Sequence, residues 1–171
     1  MKNIAIVGYG NIAKKHISAL LRSNEKFKIY VISKRKHKSK SRNVFFFKSL
    51  KSIDKIKISL AVICSAAPLH IKQCKYFFKK KTNIFIEKPM SSNLFFAKSI
   101  AKDINKHKKL FRVGYVLRYL DSALKIKKIL KKKLIGKIID VQIQCSSFLP
   151  NWRTNRDYKK TVSSNRKLGG G

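Results

Sequence analysis

Two short stretches carry residue types and spacings that can do chemistry. Gly8-Tyr9-Gly10-Asn11-Ile12-Ala13 follows the apolar run Ile4-Ala5-Ile6-Val7, and Glu87-Lys88-Pro89 follows the apolar run Ile84-Phe85-Ile86. In the first, Gly8 permits a tight turn and Gly10 lets a pyrophosphate approach the backbone. Ala13 then allows close packing of a helix on a strand. The free N–H groups at the start of that helix, Asn11 and Ile12 among them, and the positive end of its dipole face an anion. In the second, Lys88 is an ionisable donor, and partial burial would let it serve acid–base work. Both stretches close predicted buried strands. In an open parallel sheet the carboxyl edge is where ligands bind. A dinucleotide beside a proton-handling lysine points to an oxidoreductase.

Two further segments belong to the same edge. Ser33-Lys34-Arg35 follows the second predicted strand, where an NAD enzyme usually carries an acid that holds the ribose. A hydroxyl and two cations suit the 2′-phosphate of NADP, with NAD as the other possibility. Cys64-Ser65-Ala66-Ala67-Pro68-Leu69-His70 closes the fourth predicted strand. Its small residues, Ser65 and Ala66, let a cofactor lie against the backbone. His16 and His70 fall on predicted helices, and neither is assigned a proton-transfer role. Cys64, Cys74 and Cys145 show no metal-binding or redox spacing, so no metal is expected.

The elements that must position these residues alternate. Apolar runs predict strands at residues 3–7, 27–32, 44–47, 58–64, 84–86 and 110–114. Helical spacing predicts helices over 11–22, from Pro68 to about Lys79, and from a Ser91 or Ser92 cap to about His107, with a brief helix at 49–54. Residues 33–43 are a polar, basic loop. This order implies an α/β fold, a Rossmann-type doubly wound parallel sheet. After Gly114 the pattern changes. Residues 120–133 read as a basic amphipathic helix. Residues 138–148 alternate as a half-buried strand of an antiparallel sheet. One helix and one strand make only the start of an incomplete α+β domain, so the expected division is 1–117 and 118–171.

The chain has 171 residues, with 42 Lys+Arg against 7 Asp+Glu, a net charge of +35. A polyanion binder would carry such charge, and a basic nucleic-acid-associated protein is one alternative. The lysines are spread along helices and loops alike, though, rather than gathered in a stripe. No groove-reading motif accompanies them. With 44% hydrophobic residues the chain is globular. The apolar runs fall short of a membrane span, and the N-terminus lacks the order of a signal peptide. A reduced, cytoplasmic setting is expected, with neither a membrane nor a specific nucleic acid as partner.

The Gly-x-Gly-x-x-Ala turn with His16 three residues on, the Ala67-Pro68-Leu69-His70 segment and Glu87-Lys88-Pro89, in this order, resemble the glucose–fructose oxidoreductase/inositol dehydrogenase (Gfo/Idh/MocA) family. The resemblance runs the length of the chain. Gly114-Tyr115-Val116-Leu117-Arg118-Tyr119 is similar to that family's crossing into its second domain. Trp152-Arg153, Arg156-Asp157-Tyr158 and Gly169-Gly170-Gly171 are similar to a branch associated with bacterial surface sugars. The resemblance implies a hydride transfer between nicotinamide and a carbinol carbon of a sugar or sugar nucleotide. Lys88 would be the catalytic donor to the reacting oxygen, with Glu87 positioning lysine and cofactor, and Pro89 is a candidate for a cis bond. Cofactor contacts would come from Gly8, Gly10, Asn11, Ile12, Ser33, Lys34, Arg35, Ser65, Ala66, His70, Glu87 and Lys88. Substrate contacts would come from Lys88, Tyr115, Arg118, Trp152, Arg153, Asp157 and Tyr158. Val116 stands where relatives often have a polar residue. The family's Asp-x-x-x-His segment follows the triple glycine, beyond this sequence. A cofactor-binding chain without turnover is therefore the second expectation, with a homo-oligomer through the incomplete sheet.

Overall fold

The computed structural model describes residues 1–153, 157–168 and 170. Two compact units divide after Gly114: Met1–Gly114 and Tyr115–Arg166.

The first unit is built as the apolar pattern demands. Six strands form one sheet: β1 (Lys2–Val7), β2 (Phe27–Ile32), β3 (Val44–Phe47), β4 (Leu60–Ile63), β5 (Asn83–Glu87) and β6 (Phe111–Gly114). Their order is β3-β2-β1-β4-β5-β6, and every pairing is parallel. Parallel strands need crossovers, and helices provide several of them: α1 (Asn11–Arg22) after β1, α2 (Ala67–Lys79) after β4 and α3 (Leu94–Lys106) after β5. A 3-10 turn, Leu50–Ile53, precedes β4.

Because side chains alternate along a strand, each β1 residue commits to one face. Ile4 and Ile6 join Ala13 and Ile17 of α1 and Ile29 and Val31 of β2. Ala5 and Val7 join Ile71, Cys74 and Phe77 of α2 and Ile100 of α3 on the other face. Both faces are covered, so the central strands read as continuous apolar runs rather than alternating ones. Asn93 caps α3, its side chain accepting from the Phe96 N–H at 2.9 Å. The expected Ser91 or Ser92 cap is thereby corrected. Ser91 instead hydrogen-bonds the Asn93 carbonyl at 2.9 Å and shapes the approach to the helix.

The second unit is different in kind. It has a 3-10 turn (Val116–Tyr119), α4 (Asp121–Lys131) and short 3-10 turns at Leu149–Arg153, Tyr158–Lys160 and Val162–Ser164. The strand expected at 138–148 does not form. Among the described residues it has no ladder partner, and its side chains are exposed, Ile139 and Ile143 most of all. A strand is held by its neighbours, and alternation alone supplies none. No helix among the described residues is long and apolar enough to cross a membrane.

Candidate functional site

The glycine turn leads from β1 into α1. Gly8 has φ +93°, a conformation that side chains other than glycine rarely adopt. A Cβ there would lie 2.9 Å from the Ser65 nitrogen and 3.0 Å from the Cys64 carbonyl. The Gly8 N–H also donates to the Ile32 carbonyl at 2.9 Å. Gly8 thus lets the loops after β1 and β4 touch. Gly10 faces open space, with no atom within 4 Å of where a Cβ would stand. It occupies the N-cap of α1, no side chain caps the helix and no acid sits in its first turn. The N–H groups and dipole at this end are therefore open to an anion. Ala13 is fully buried, while Asn11 and Ile12 are exposed. A backbone left open at Gly10, with uncapped donors behind it, fits a pyrophosphate.

Beside β2 and β3 lies a cleft of about 460 Å³, lined by Ser33, Arg35, Lys36, His37, Lys38, Phe46, Phe47 and Lys48. The structure brings Ser33 and Arg35 together here, the Arg35 N–H donating to Ser33 Oγ at 3.3 Å. Lys34, expected beside them, does not line the cleft. His37, which the sequence reading missed, lies 3.1 Å from Ser33 Oγ and packs on Tyr9 and Phe46. Tyr9 in turn packs edge-on against Phe46, with Lys14 over its ring. A basic cleft floored by aromatic rings adjoins the glycine turn.

The third side of the site is the exit of β5. The Lys88–Pro89 bond is cis, as expected. Lys88 is exposed, which corrects the expected partial burial. The reason is local: it stands past the last paired residue of β5, Glu87, which pairs with Gly114. Glu87 accepts from His16 Nε2 of α1 at 2.7 Å. Its charge also adds to burial in pushing the Cys64 thiol up to about 12.

His70, expected to touch a cofactor, is buried at 1% exposure. Its Nδ1 lies 2.9 Å from the Pro89 carbonyl and its Nε2 3.0 Å from the Ser65 carbonyl. Both nitrogens face protein carbonyls in a buried position, so neither is open to a direct cofactor bond. The Ser65 hydroxyl donates to Gln73 at 2.6 Å. Ala66 caps α2, with Pro68 in its first turn.

In the second unit, Tyr115 and Arg118 are exposed, Arg118 within the Val116–Tyr119 turn. Trp152 donates its indole N–H to the Ser147 hydroxyl, and Arg153 ends the same turn. Asp157 accepts from the Lys159 N–H at 2.9 Å and caps the turn begun by Tyr158. Arg156, Gly169 and Gly171 lie outside the described residues. A cleft of about 480 Å³ also opens at the amino edge of the first unit, lined by Lys79, Lys81, Lys106, Lys108 and Lys109 among others. It contains none of the motif residues.

An all-parallel sheet in this order, with a glycine turn leading from its first strand into a helix, defines a Rossmann-type dinucleotide-binding domain. The model of an oxidoreductase family with an NAD-binding Rossmann fold, Gfo/Idh/MocA, matches residues 2–115, and the chain belongs to that family. The chain is 28% identical over 180 residues to glucose-6-phosphate 3-dehydrogenase of Bacillus subtilis, an alignment covering 99% of this chain and 51% of that protein. It superposes on myo-inositol 2-dehydrogenase of Lactobacillus plantarum with a TM-score of 0.70 and 26% identity, over 81% of this chain and 43% of that one. Scyllo-inositol dehydrogenase of Lactobacillus casei, solved with NAD(H) and scyllo-inositol, shares the fold at a TM-score of 0.70 and 21% identity, over 80% of this chain and 42% of that one. The chain thus spans about half the length of the relatives it matches.

Proposed function

We propose that this chain carries the cofactor-binding part of a dehydrogenase acting on a carbinol carbon of a sugar or sugar nucleotide, with NADP preferred over NAD. The observation that carries the reading is the 2.7 Å contact between His16 and Glu87. It sets the helix of the dinucleotide turn against the strand that presents Lys88. When bound, the nicotinamide supplies hydride acceptance or donation at its C4, and the protein supplies the rest. Backbone N–H groups at Gly10, Asn11 and Ile12 hold the pyrophosphate. Ser33 and Arg35, with His37 and the lysines of the same cleft, read the ribose 2′-phosphate. The backbone at Ser65 and Ala66 flanks the cofactor. Lys88 donates to the reacting oxygen of the substrate and moves its proton. Tyr115, Arg118, Trp152, Arg153, Asp157 and Tyr158 are proposed substrate contacts. Two relatives named for dehydrogenation of a sugar phosphate and an inositol support a cyclic polyhydroxy substrate. The segments around Trp152 and Asp157 favour a surface-polysaccharide setting.

The test is calorimetric titration with NADPH and NADH at raised salt, which screens the general attraction of phosphates to a +35 chain. Saturable one-to-one binding, tighter for NADPH, is expected. Ser33→Asp should reverse that preference by setting a negative charge where the phosphate lies. Absence of saturable binding overturns the reading. Binding without turnover on a panel of sugars and sugar nucleotides leaves the dinucleotide function and limits this chain by itself to holding the cofactor.

A further inference from the structure

Lys88 is exposed and free of any described hydrogen bond of its own, yet both of its chain neighbours are gripped by a histidine. On one side, His16 Nε2 lies 2.7 Å from Glu87 Oε1. A carboxylate only accepts, so the ring nitrogen is the donor. On the other side, His70 Nδ1 lies 2.9 Å from the Pro89 carbonyl. Each histidine also reaches toward the nucleotide side of the site. His16 stands on α1, the helix that begins at Gly10 and Asn11. His70 places its second nitrogen 3.0 Å from the carbonyl of Ser65, the residue against which Gly8 packs. The His70 ring thus stands between two backbone carbonyls, one on each of the loops it joins.

The surroundings hold both rings in place. His16 packs edge-on against Phe85, with ring centroids 5.5 Å apart. Gly114, paired with Glu87 on the next strand, leaves the necessary room. A Cβ there would come within 3.0 Å of the Phe85 ring and 3.3 Å of Glu87 Oε1. His70 is buried at 1% exposure, so its contacts are shielded from water.

We infer that His16 and His70 are positioning residues for Lys88: one fixes the side chain before it, the other the carbonyl after it, and both tie that turn to the segments that hold the cofactor. This rests on the dinucleotide reading above. A lysine on a flexible four-carbon stem gains its orientation from its backbone, and here the backbone is pinned from both sides. Neither histidine touches the reacting atoms.

The test measures the reactivity of Lys88 itself. The full chain is acetylated with and without saturating NADPH, and Lys88 modification is followed by peptide mass spectrometry. Bound NADPH should shield Lys88 in the wild type. His16→Leu and His70→Leu should lose roughly tenfold in that shielding, a coupling of the size seen between contacting residues. His16→Gln keeps a donor for Glu87 and should keep the shielding. Circular dichroism identifies any variant that fails to fold, and His16→Leu, at a partly exposed site, is the safer of the two. If both leucine variants fold and bind NADPH with Lys88 still shielded, the positioning role is overturned, whatever happens to the melting temperature. If the wild type binds NADPH without shielding Lys88, the placement of Lys88 at the cofactor fails. If the wild type binds no dinucleotide, the underlying reading fails with it.

Discussion

Residues 1–114 and residues 115–166 carry similar apolar patterns and meet different fates. In the first region Ile6, Ile29, Ile63, Ile84 and Ile86 are fully buried because each stands in a strand with a paired neighbour and a covered face. In the second, Ile139 and Ile143 are 95% and 85% exposed, although their segment alternates as regularly as any strand. The helices divide in the same way. Helix α2 buries five residues, His70 among them, whereas α4, with a clear apolar stripe, buries none. Periodicity states which face of an element is apolar. Burial, and the roughly 1.5–3 kcal/mol it contributes per large apolar side chain, comes only when another element covers that face.

The widest expected gap between the regions is in core truncation. Phe77→Ala removes a fully buried ring and should destabilise the first region by about 3–5 kcal/mol. Ile143→Ala should stay within about 0.5 kcal/mol. Urea unfolding curves of both variants check this, and a comparable loss from Ile143→Ala would break the comparison. Next come two glycines with positive φ. Gly8→Ala meets the backbone of Cys64 and Ser65 and should cost about 1–3 kcal/mol together with dinucleotide binding. Gly136→Ala, at φ +70° in open space, should cost only about 1 kcal/mol of local backbone strain.

The cysteines extend the contrast to pH. Burial pushes Cys64 and Cys74 from 9.0 up to about 12, whereas Cys145 is exposed. In both buried cases the folded state favours the neutral thiol. The stability this confers is whole below pH 9 and is lost as the pH rises from 9 toward 12, by up to about 1.4 kcal/mol per thiol per pH unit. Denaturant midpoints measured from pH 8 to 11 should fall accordingly, and replacing Cys74 by Ala should flatten the slope. At pH 8 iodoacetamide should label Cys145 and spare the other two. The smallest effect concerns two lysines with positive φ just past helix ends, Lys81 after α2 and Lys133 after α4. Lys81→Gly should stabilise the first region by about 0.5–1 kcal/mol. Lys133→Gly should leave the same unfolding midpoint unchanged.

Much of the first region was legible in the sequence because its signals are local. Apolar runs bounded by Gly8, Pro68 and Pro89 mark strand ends and helix starts without knowledge of the fold. The cap of α3 was harder: Ser91, Ser92 and Asn93 stand in a row, all three can cap, and only the path of the chain selects Asn93. The site was legible as motifs and not as contacts. His16 and Glu87 are separated by 71 positions, and the sheet order that brings them together is a property of the whole domain. His37 was hidden in a basic loop without periodicity. Residues 138–148 misled because the alternation of a strand carries no information about whether a partner is there to receive it.

The central place of β1 has a consequence for how the chain is made. Its neighbour β2 leaves the ribosome soon after it, but its other neighbour, β4, ends at Ile63, 56 residues after Val7. At about 5–20 residues per second that is an interval of roughly 3–11 s. During it the nascent chain holds a two- or three-stranded apolar ribbon whose β1 edge, central in the finished sheet, is still unpaired, the kind of edge that recruits chaperones or neighbouring chains. Synonymous codons that slow translation between residues 48 and 59 should therefore lower soluble yield, while the same delay placed after residue 114 should leave the Rossmann sheet already closed.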